Sequence, residues 1–155
     1  MCIRDSRLTE NPELKQYFAT QSEESLNQAI KLEPENNVAK IALAKTYVDA
    51  QNQVMQGVML LREVESTDPD NLEMNLTLGR LSMISQQYEK AVKRMEKVLS
   101  LEPQNTEAMY YLGEAYLNLG DSTKAISLFN QCKDLVENPA FKREITNYIN
   151  QIKNQ

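Results

Sequence analysis

The 155-residue sequence contains no histidine and no tryptophan, and it has only two cysteines and four glycines. Histidine is the most common general base and metal ligand, so its absence removes the usual basis of catalytic and zinc sites. The glycines stand apart, and no glycine-rich loop exists to direct backbone N–H groups at a phosphate. We therefore predict that the chain is not an enzyme and has no catalytic residues, metal site, nucleotide site or cofactor.

The two cysteines do not predict a disulfide framework. Cys2 lies in the first few residues, and Cys132 lies in a predicted helix at a position where a small apolar residue is expected. Without any histidine to activate its thiol, Cys132 is a poor candidate nucleophile. We interpret Cys132 as a core residue.

Composition and charge limit both the fold and the partners. Leu, Ala, Glu, Lys and Gln are abundant, and their side chains, which are not branched at Cβ, lose little freedom in a helix, which predicts an all-α fold. The net charge of −5 repels phosphate backbones and anionic lipid headgroups. We therefore expect no nucleic-acid partner and no direct membrane contact from this chain.

The first six residues, Met1 to Ser6, resemble the translation of a transposase end sequence that is used in preparing sequencing libraries. We expect residues 1–7 to be a sequencing artefact without ordered structure. The chain would then be a truncated fragment whose native N terminus and any upstream domain are missing.

A four-residue phrase recurs three times, at 33–36, 68–71 and 102–105. It consists of an acidic residue, Pro, one further residue and Asn, and its prolines are Pro34, Pro69 and Pro103. A repeat period of about 34 residues is typical of helix pairs that cannot bury their apolar faces alone and therefore stack on neighbours. The phrase predicts a helical solenoid.

Apolar residues recur at helical spacing between these phrases. Asn11 and Pro12 predict the start of the first helix, and Asn71 and Asn105 predict the caps of later ones. Gly120 predicts a helix end. The predicted division is an N-terminal helix or truncated repeat at 8–36, repeats at 37–71, 72–105 and 106–137, and a capping helix at 138–155.

Small residues recur where paired helices would cross, and with their neighbours they carry a family likeness. The third unit has Leu112-Gly113, Tyr116, Ala125 and Phe129, and over residues 36–136 the chain resembles the tetratricopeptide repeat family. The second unit departs from the family pattern with Ser82, where an aromatic residue is usual. The resemblance implies a right-handed superhelical solenoid of antiparallel helix pairs.

In that family the first helix of each unit lines a concave groove that holds a partner. The resemblance implies that this groove is lined here by Ile41, Lys45, Val48 and Asp49, by Leu76, Arg80, Met83 and Ile84, and by Tyr110, Glu114, Leu117 and Asn118. The alternative for Leu76, Met83 and Leu117 is packing between neighbouring units.

The same resemblance indicates the kind of partner. Groove positions that carry Lys and Asn in relatives with a chaperone-tail clamp do not carry that pattern here, which favours an amphipathic helix or extended apolar segment over a terminal carboxylate. The predicted function is a protein–protein interaction scaffold or adaptor.

Two alternatives stay open: a recruiting arm of an enzyme or larger complex whose N-terminal part is missing, and a self-association module. A looser likeness to bacterial members with an N-terminal membrane anchor suggests a bacterial cytoplasmic or periplasmic protein, with the anchor in a missing upstream segment. The partner, the compartment and the oligomeric state do not follow from the residues.

Overall fold

The structure is a computed structural model that describes residues 11–49 and 53–154. These residues contain α-helices and no strand, which confirms the all-α prediction. The predicted artefact at 1–7 lies outside the described residues, as do residues 8–10 of the predicted N-terminal helix. The helices are α1 (Pro12–Leu32), α2 (Asn37–Asp49), α3 (Val54–Thr67), α4 (Leu72–Ile84), α5 (Tyr88–Leu101), α6 (Thr106–Asn118), α7 (Ser122–Leu135) and α8 (Pro139–Lys153).

The chain divides into two compact units, one reaching to Met74 and the other beginning at Asn75, so the division falls within α4. In the N-terminal unit, α1 packs against α2, and α2 packs against α3. In the C-terminal unit, α5 packs against α6, α6 against α7, and α7 against α8. Packing in both units thus follows chain order, as in helical repeats. None of the described helices is both long enough and apolar enough to cross a membrane.

The recurring acidic–Pro–X–Asn phrase forms the same turn three times. The backbone N–H groups of Asn36, Asn71 and Asn105 donate to the carbonyl of the acidic residue three positions earlier, at 3.0, 3.1 and 3.1 Å. Proline suits the second position of such a turn because its φ is already fixed near the required value. Each Asn side chain then accepts a bond from the backbone N–H three residues on, at 2.9, 3.1 and 2.9 Å. The predicted caps at Asn71 and Asn105 are confirmed.

Two tight turns in the C-terminal unit each use a left-handed residue. Gly120 has φ +85° and ends α6, as predicted; its N–H donates to the Leu117 carbonyl at 3.0 Å. Gln86, which precedes Gly120 by one repeat period, ends α4 with φ +58°. The sequence did not indicate a left-handed residue there, because glutamine has no preference for this conformation.

Glycine allows α6 and α7 to approach closely. A Cβ atom on Gly113 would lie 2.8 to 3.1 Å from three ring atoms of Phe129. Phe129 is fully buried, and the buried residues around it include Ile145 and Ile149 of α8. Thus α8 covers the apolar side of the last helix pair, as the capping-helix prediction requires. Cys132 is also fully buried, which confirms its interpretation as a core residue.

One aliphatic residue of α2 lies outside the core. Val38 is 78% exposed, whereas Lys40 is only 8% exposed and its Nζ lies 3.2 Å from Glu63 Oε2 of α3. Ala39 and Lys40 in the same first turn of α2 are buried, so Val38 lies on the side of the helix that faces solvent. The long apolar stem of Lys40 can instead be buried while its ammonium group remains paired.

Candidate functional site

The predicted groove residues of the N-terminal unit differ in accessibility. Ile41 is buried, with 5% of its surface exposed, whereas Val48 is half-buried and Asp49 is exposed. Lys45 is half-buried and pairs with the carboxylate of Glu73. Ile41 therefore contributes to the core of this unit, and the other three positions have accessible surface.

The predicted groove positions on α4 in the C-terminal unit also differ in accessibility. Leu76 is buried, with 7% exposed, which favours the packing alternative for this residue. Met83 is half-buried and Ile84 is 74% exposed. Arg80 is half-buried, and its Nε lies 4.0 Å from Glu107 Oε1 of α6. The accessible surface of this helix end thus combines apolar side chains with one cation.

On α6, Tyr110, Glu114 and Leu117 are half-buried, and Asn118 is exposed. Leu117 packs against the core of the C-terminal unit, in line with the packing alternative. The Asn118 side-chain amide donates to the Glu114 backbone carbonyl at 2.8 Å. Tyr110 and Glu114 therefore carry the functional groups available on the middle of this helix.

Tyr110 lies among aromatic rings. Its ring centroid is 5.6 Å from that of Phe129 on α7 and 5.9 Å from that of Phe141 on α8. Tyr148, also on α8, lies 5.2 Å from Phe129 by the same measure. Such tilted pairs are favourable for aromatic rings. These ring contacts set the orientation of the two tyrosine side chains and therefore the direction in which their hydroxyl groups point.

Both tyrosines share one carboxylate. Tyr148 Oη lies 3.5 Å from Glu114 Oε1, and the Tyr110 hydroxyl also donates to Glu114. Burial raises the pKa of Glu114, although the hydrogen bonds from the tyrosines act in the opposite direction. Burial, reinforced by Glu114 and other nearby acidic groups, raises the pKa of Tyr110 to about 12.

A pocket of about 250 Å³ opens beside this cluster. It lies between α6 and α8, and it is lined by Tyr110, Glu144, Ile145, Asn147, Tyr148 and Gln151. Five of these six residues belong to α8, which sequence reasoning assigned only a capping role. The available signal was Tyr148, a hydroxyl-bearing residue on the apolar face of the helix.

The side chains around this pocket offer several kinds of contact to a ligand. Among the described residues, no group of three or more His, Cys, Asp or Glu side chains is arranged to hold a metal ion. Burial raises the pKa of the Cys132 thiol, and its Sγ lies 3.4 Å from the Thr106 carbonyl. The pocket offers two aromatic rings, one carboxylate and two amides, which can recognise ligands through hydrogen bonds and charge.

Comparisons with known proteins find similarity to one repeat family. Residues 82–142 match the family described as Tetratricopeptide repeat. The chain is 28% identical over 108 residues to Anaphase-promoting complex subunit 3 of Dictyostelium discoideum, which covers 69% of the chain and 11% of that protein. The chain spans 8 to 20% of the length of the curated relatives that it matches.

Solved structures show the same fold. The crystal structure of MamA aligns with 99% of this chain and 94% of its own length, at 18% identity and a TM-score of 0.69. Pseudomonas aeruginosa PilF aligns with 90% of this chain and 62% of its own, at 18% identity and a TM-score of 0.77. The match over residues 82–142 and the fold likeness along most of the chain together support the tetratricopeptide repeat family.

Proposed function

We propose that this chain is a non-enzymatic scaffold that holds a segment of a partner protein. Proteins with this repeat fold are typically protein-interaction scaffolds. The family's framework residues are packing residues, so a partner would bind the surface that the fold leaves accessible. In the C-terminal unit that surface lies on α4 and α6.

The observation that carries the proposal is the accessible end of α4. Ile84 is 74% exposed and lies beside half-buried Met83, with half-buried Arg80 one turn earlier. Met and Arg are enriched at the centres of protein interfaces. An exposed aliphatic residue next to them adds apolar surface that a partner could cover. The accessible positions Lys45, Val48 and Asp49 remain predicted contacts of the N-terminal unit.

This mixture of groups favours a partner segment that has one apolar side and some charge. An amphipathic helix would place apolar residues on Met83 and Ile84, and an extended apolar segment could do the same with alternate side chains. A carboxylate of the partner could approach half-buried Arg80, because a guanidinium group can donate two parallel hydrogen bonds to a carboxylate.

A random peptide library displayed on phage tests the proposal. We would use peptides of about 12 residues, roughly 18 Å long if helical. Selection on the wild-type chain should enrich peptides with an amphipathic or apolar pattern. Arg80→Ala and Ile84→Ser should then weaken binding of the enriched peptides by about tenfold or more.

Val38→Ser is the matched control, because Val38 is an aliphatic residue of similar exposure, 78%, that lies outside the predicted groove. It should leave the affinity unchanged. A Tyr110→Phe variant tests the Tyr110 hydroxyl group alone, because phenylalanine keeps the ring contacts that an alanine substitution would remove. If no related peptides are enriched, or if Arg80→Ala and Ile84→Ser bind them as well as wild type, the proposal is wrong.

We also infer that the predicted repeats at 37–71, 72–105 and 106–137 and the cap at 138–155 are the functional units of the scaffold. The recurring turn supports this division, because it separates α1 from α2, α3 from α4, and α5 from α6 with the same hydrogen bonds. The recruiting-arm alternative would place the same units beside a catalytic domain.

Self-association is a second candidate because α1 exposes apolar residues. Leu14, Tyr17 and Phe18 lie at helical spacing and are 37%, 59% and 52% exposed. A second copy could cover this stripe. Sedimentation equilibrium over a range of concentrations tests this candidate, which predicts a mass that rises with concentration and falls back to the monomer in Phe18→Ser. A monomer at every concentration would reject self-association.

A further inference from the structure

The pocket between α6 and α8 combines negative charge with aromatic surface. Its lining includes the half-buried rings of Tyr110 and Tyr148, the exposed carboxylate of Glu144 and the buried side chain of Ile145. The Glu114 carboxylate adjoins it through its hydrogen bonds to the two tyrosines. We propose that this pocket is a subsite for a lysine or arginine side chain of the partner segment, a proposal that rests on the scaffold function above.

The size of the pocket fits one side chain. Sites for drug-sized ligands usually occupy about 300 to 1,000 Å³, whereas this pocket measures about 250 Å³. A lysine or arginine side chain is long and thin, with an apolar stem and a charged end. The stem could lie along the tyrosine rings and Ile145, and the charged end could then reach the acidic groups.

The charged side chain of the lining is the Glu144 carboxylate, which favours a cationic ligand. Glu144 is exposed and has no ion-pair partner among the described residues, and no lysine or arginine in the described part of the chain lines the pocket. Ring faces of tyrosine attract cations, and this attraction adds to that of a nearby carboxylate. The side-chain carbonyl groups of Asn147 and Gln151 can accept further hydrogen bonds from an ammonium or guanidinium group.

The aromatic contacts hold the pocket in shape before any ligand binds. Tyr110 packs against Phe129 and Phe141, and Tyr148 packs against Phe129. Their hydroxyl groups share Glu114, which ties α6 to α8 at the pocket wall. Preformed sites lose less conformational freedom on binding. A cation should therefore bind specifically in this pocket, and not merely be attracted by the net negative charge of the chain.

The test is a titration of the full chain with Nα-acetyl-lysine methylamide, followed by NMR of the tyrosine rings. The neutral comparison is Nα-acetyl-norleucine methylamide, which keeps the apolar stem and lacks the charge. The lysine compound should produce saturable shifts of the Tyr110 and Tyr148 ring signals, and the norleucine compound should bind at least about threefold more weakly. Higher salt should weaken only the lysine compound.

Glu144→Gln and Glu137→Gln are the matched variants, because each removes one exposed carboxylate and only Glu144 lines the pocket. Glu144→Gln should weaken the lysine compound by about threefold or more, and Glu137→Gln should leave it nearly unchanged. Equal binding of the two compounds, equal effects of the two variants, or no saturable shift up to the solubility limit would overturn the proposal.

These outcomes are separable from the fate of the scaffold proposal. If peptides from the library bind through Arg80 and Ile84 but the lysine compound does not bind, the scaffold survives and the subsite is rejected. If the lysine compound binds and no peptides are enriched, the pocket is a cation site and the larger groove assignment fails.

Discussion

Two consecutive helix hairpins of the C-terminal unit, α4–α5 and α6–α7, follow the same plan with different side chains at positions one repeat period apart. Gly79 and Gly113 each face the second helix of their hairpin, where a Cβ on Gly79 would meet Met95 and the Cβ of Arg94, and a Cβ on Gly113 would meet Phe129. The two hairpins differ in how rigid those neighbours are. The same backbone plan therefore does not imply that substitution of the glycine costs the same free energy of unfolding in both hairpins.

The difference arises from the side chain across from the glycine. Phe129 has a flat ring held by Tyr110 and Tyr148, with centroid distances of 5.6 and 5.2 Å. Met95 is also fully buried, but the atom nearest to Gly79 is its terminal methyl carbon. Methionine has three rotatable bonds and adapts to irregular spaces. The α6–α7 hairpin should thus tolerate less change at its glycine.

The largest expected effect comes from Gly113→Leu. The new side chain would press on the Phe129 ring, and overpacking of this kind costs about 1 to 3 kcal/mol or more. Gly79→Leu, the matched change in the other hairpin, should cost less because the Met95 end can move. Urea unfolding of the two variants measures the free energies. Equal losses, or a larger loss for Gly79→Leu, would show that the two hairpins do not differ in this way.

The turns that connect the helices of the two hairpins also differ in how favourable their backbone conformations are. Gly120 adopts its left-handed conformation without strain, whereas Gln86 must adopt it with a side chain. Asp121, the residue after Gly120, also caps the next helix by accepting a bond from the Lys124 N–H at 3.0 Å. Gln87 at the equivalent position makes no side-chain cap. The α4–α5 turn is therefore the less favourable of the two.

Gln86→Gly should raise the free energy of unfolding by up to about 1 kcal/mol, because it removes the cost of a side chain in the left-handed region. Gly120→Gln should lower it by a similar amount. A Cβ on Gly120 would meet nothing within 4 Å, so that cost is conformational and not steric. Thermal and urea unfolding check both signs. A destabilised Gln86→Gly variant would contradict the turn argument.

Local chemistry explains which parts of this plan the sequence could predict. The Asn caps and the Gly120 stop are properties of short segments, and the structure contains them as expected. The left-handed Gln86 was not predictable in the same way, since the repeat imposes the turn and the residue itself does not favour it. A comparison of the sequence with itself, offset by one repeat period, would have placed Gln86 opposite Gly120.

The candidate site was predictable only in part, because periodicity assigns a helix face and not what covers it. Tyr110 lies on α6 as expected, but its ring contact with Phe141 and the pocket that it shares with Tyr148 depend on how α8 packs. Leu76, its counterpart in α4, is buried. The same predicted groove position therefore has two different surroundings in consecutive hairpins.

Ionisation of Tyr110 provides the most selective test of this difference between the two hairpins. The pKa of Tyr110 is raised from about 10 to about 12, so the folded chain keeps this proton to higher pH than the unfolded chain does. The unfolded state then binds fewer protons between pH 10 and 12, and the free energy of unfolding falls as pH rises through this range. The stabilisation is complete below the unfolded pKa.

Tyr110→Leu makes the α6 position identical to Leu76 and should reduce this alkaline loss, although Tyr148, whose pKa burial also raises, retains part of it. Urea unfolding of wild type and variant on both sides of the range measures the slope. If Tyr110→Leu keeps the wild-type slope, the raised pKa of Tyr110 does not control alkaline stability, and the aromatic contacts alone distinguish the two hairpins.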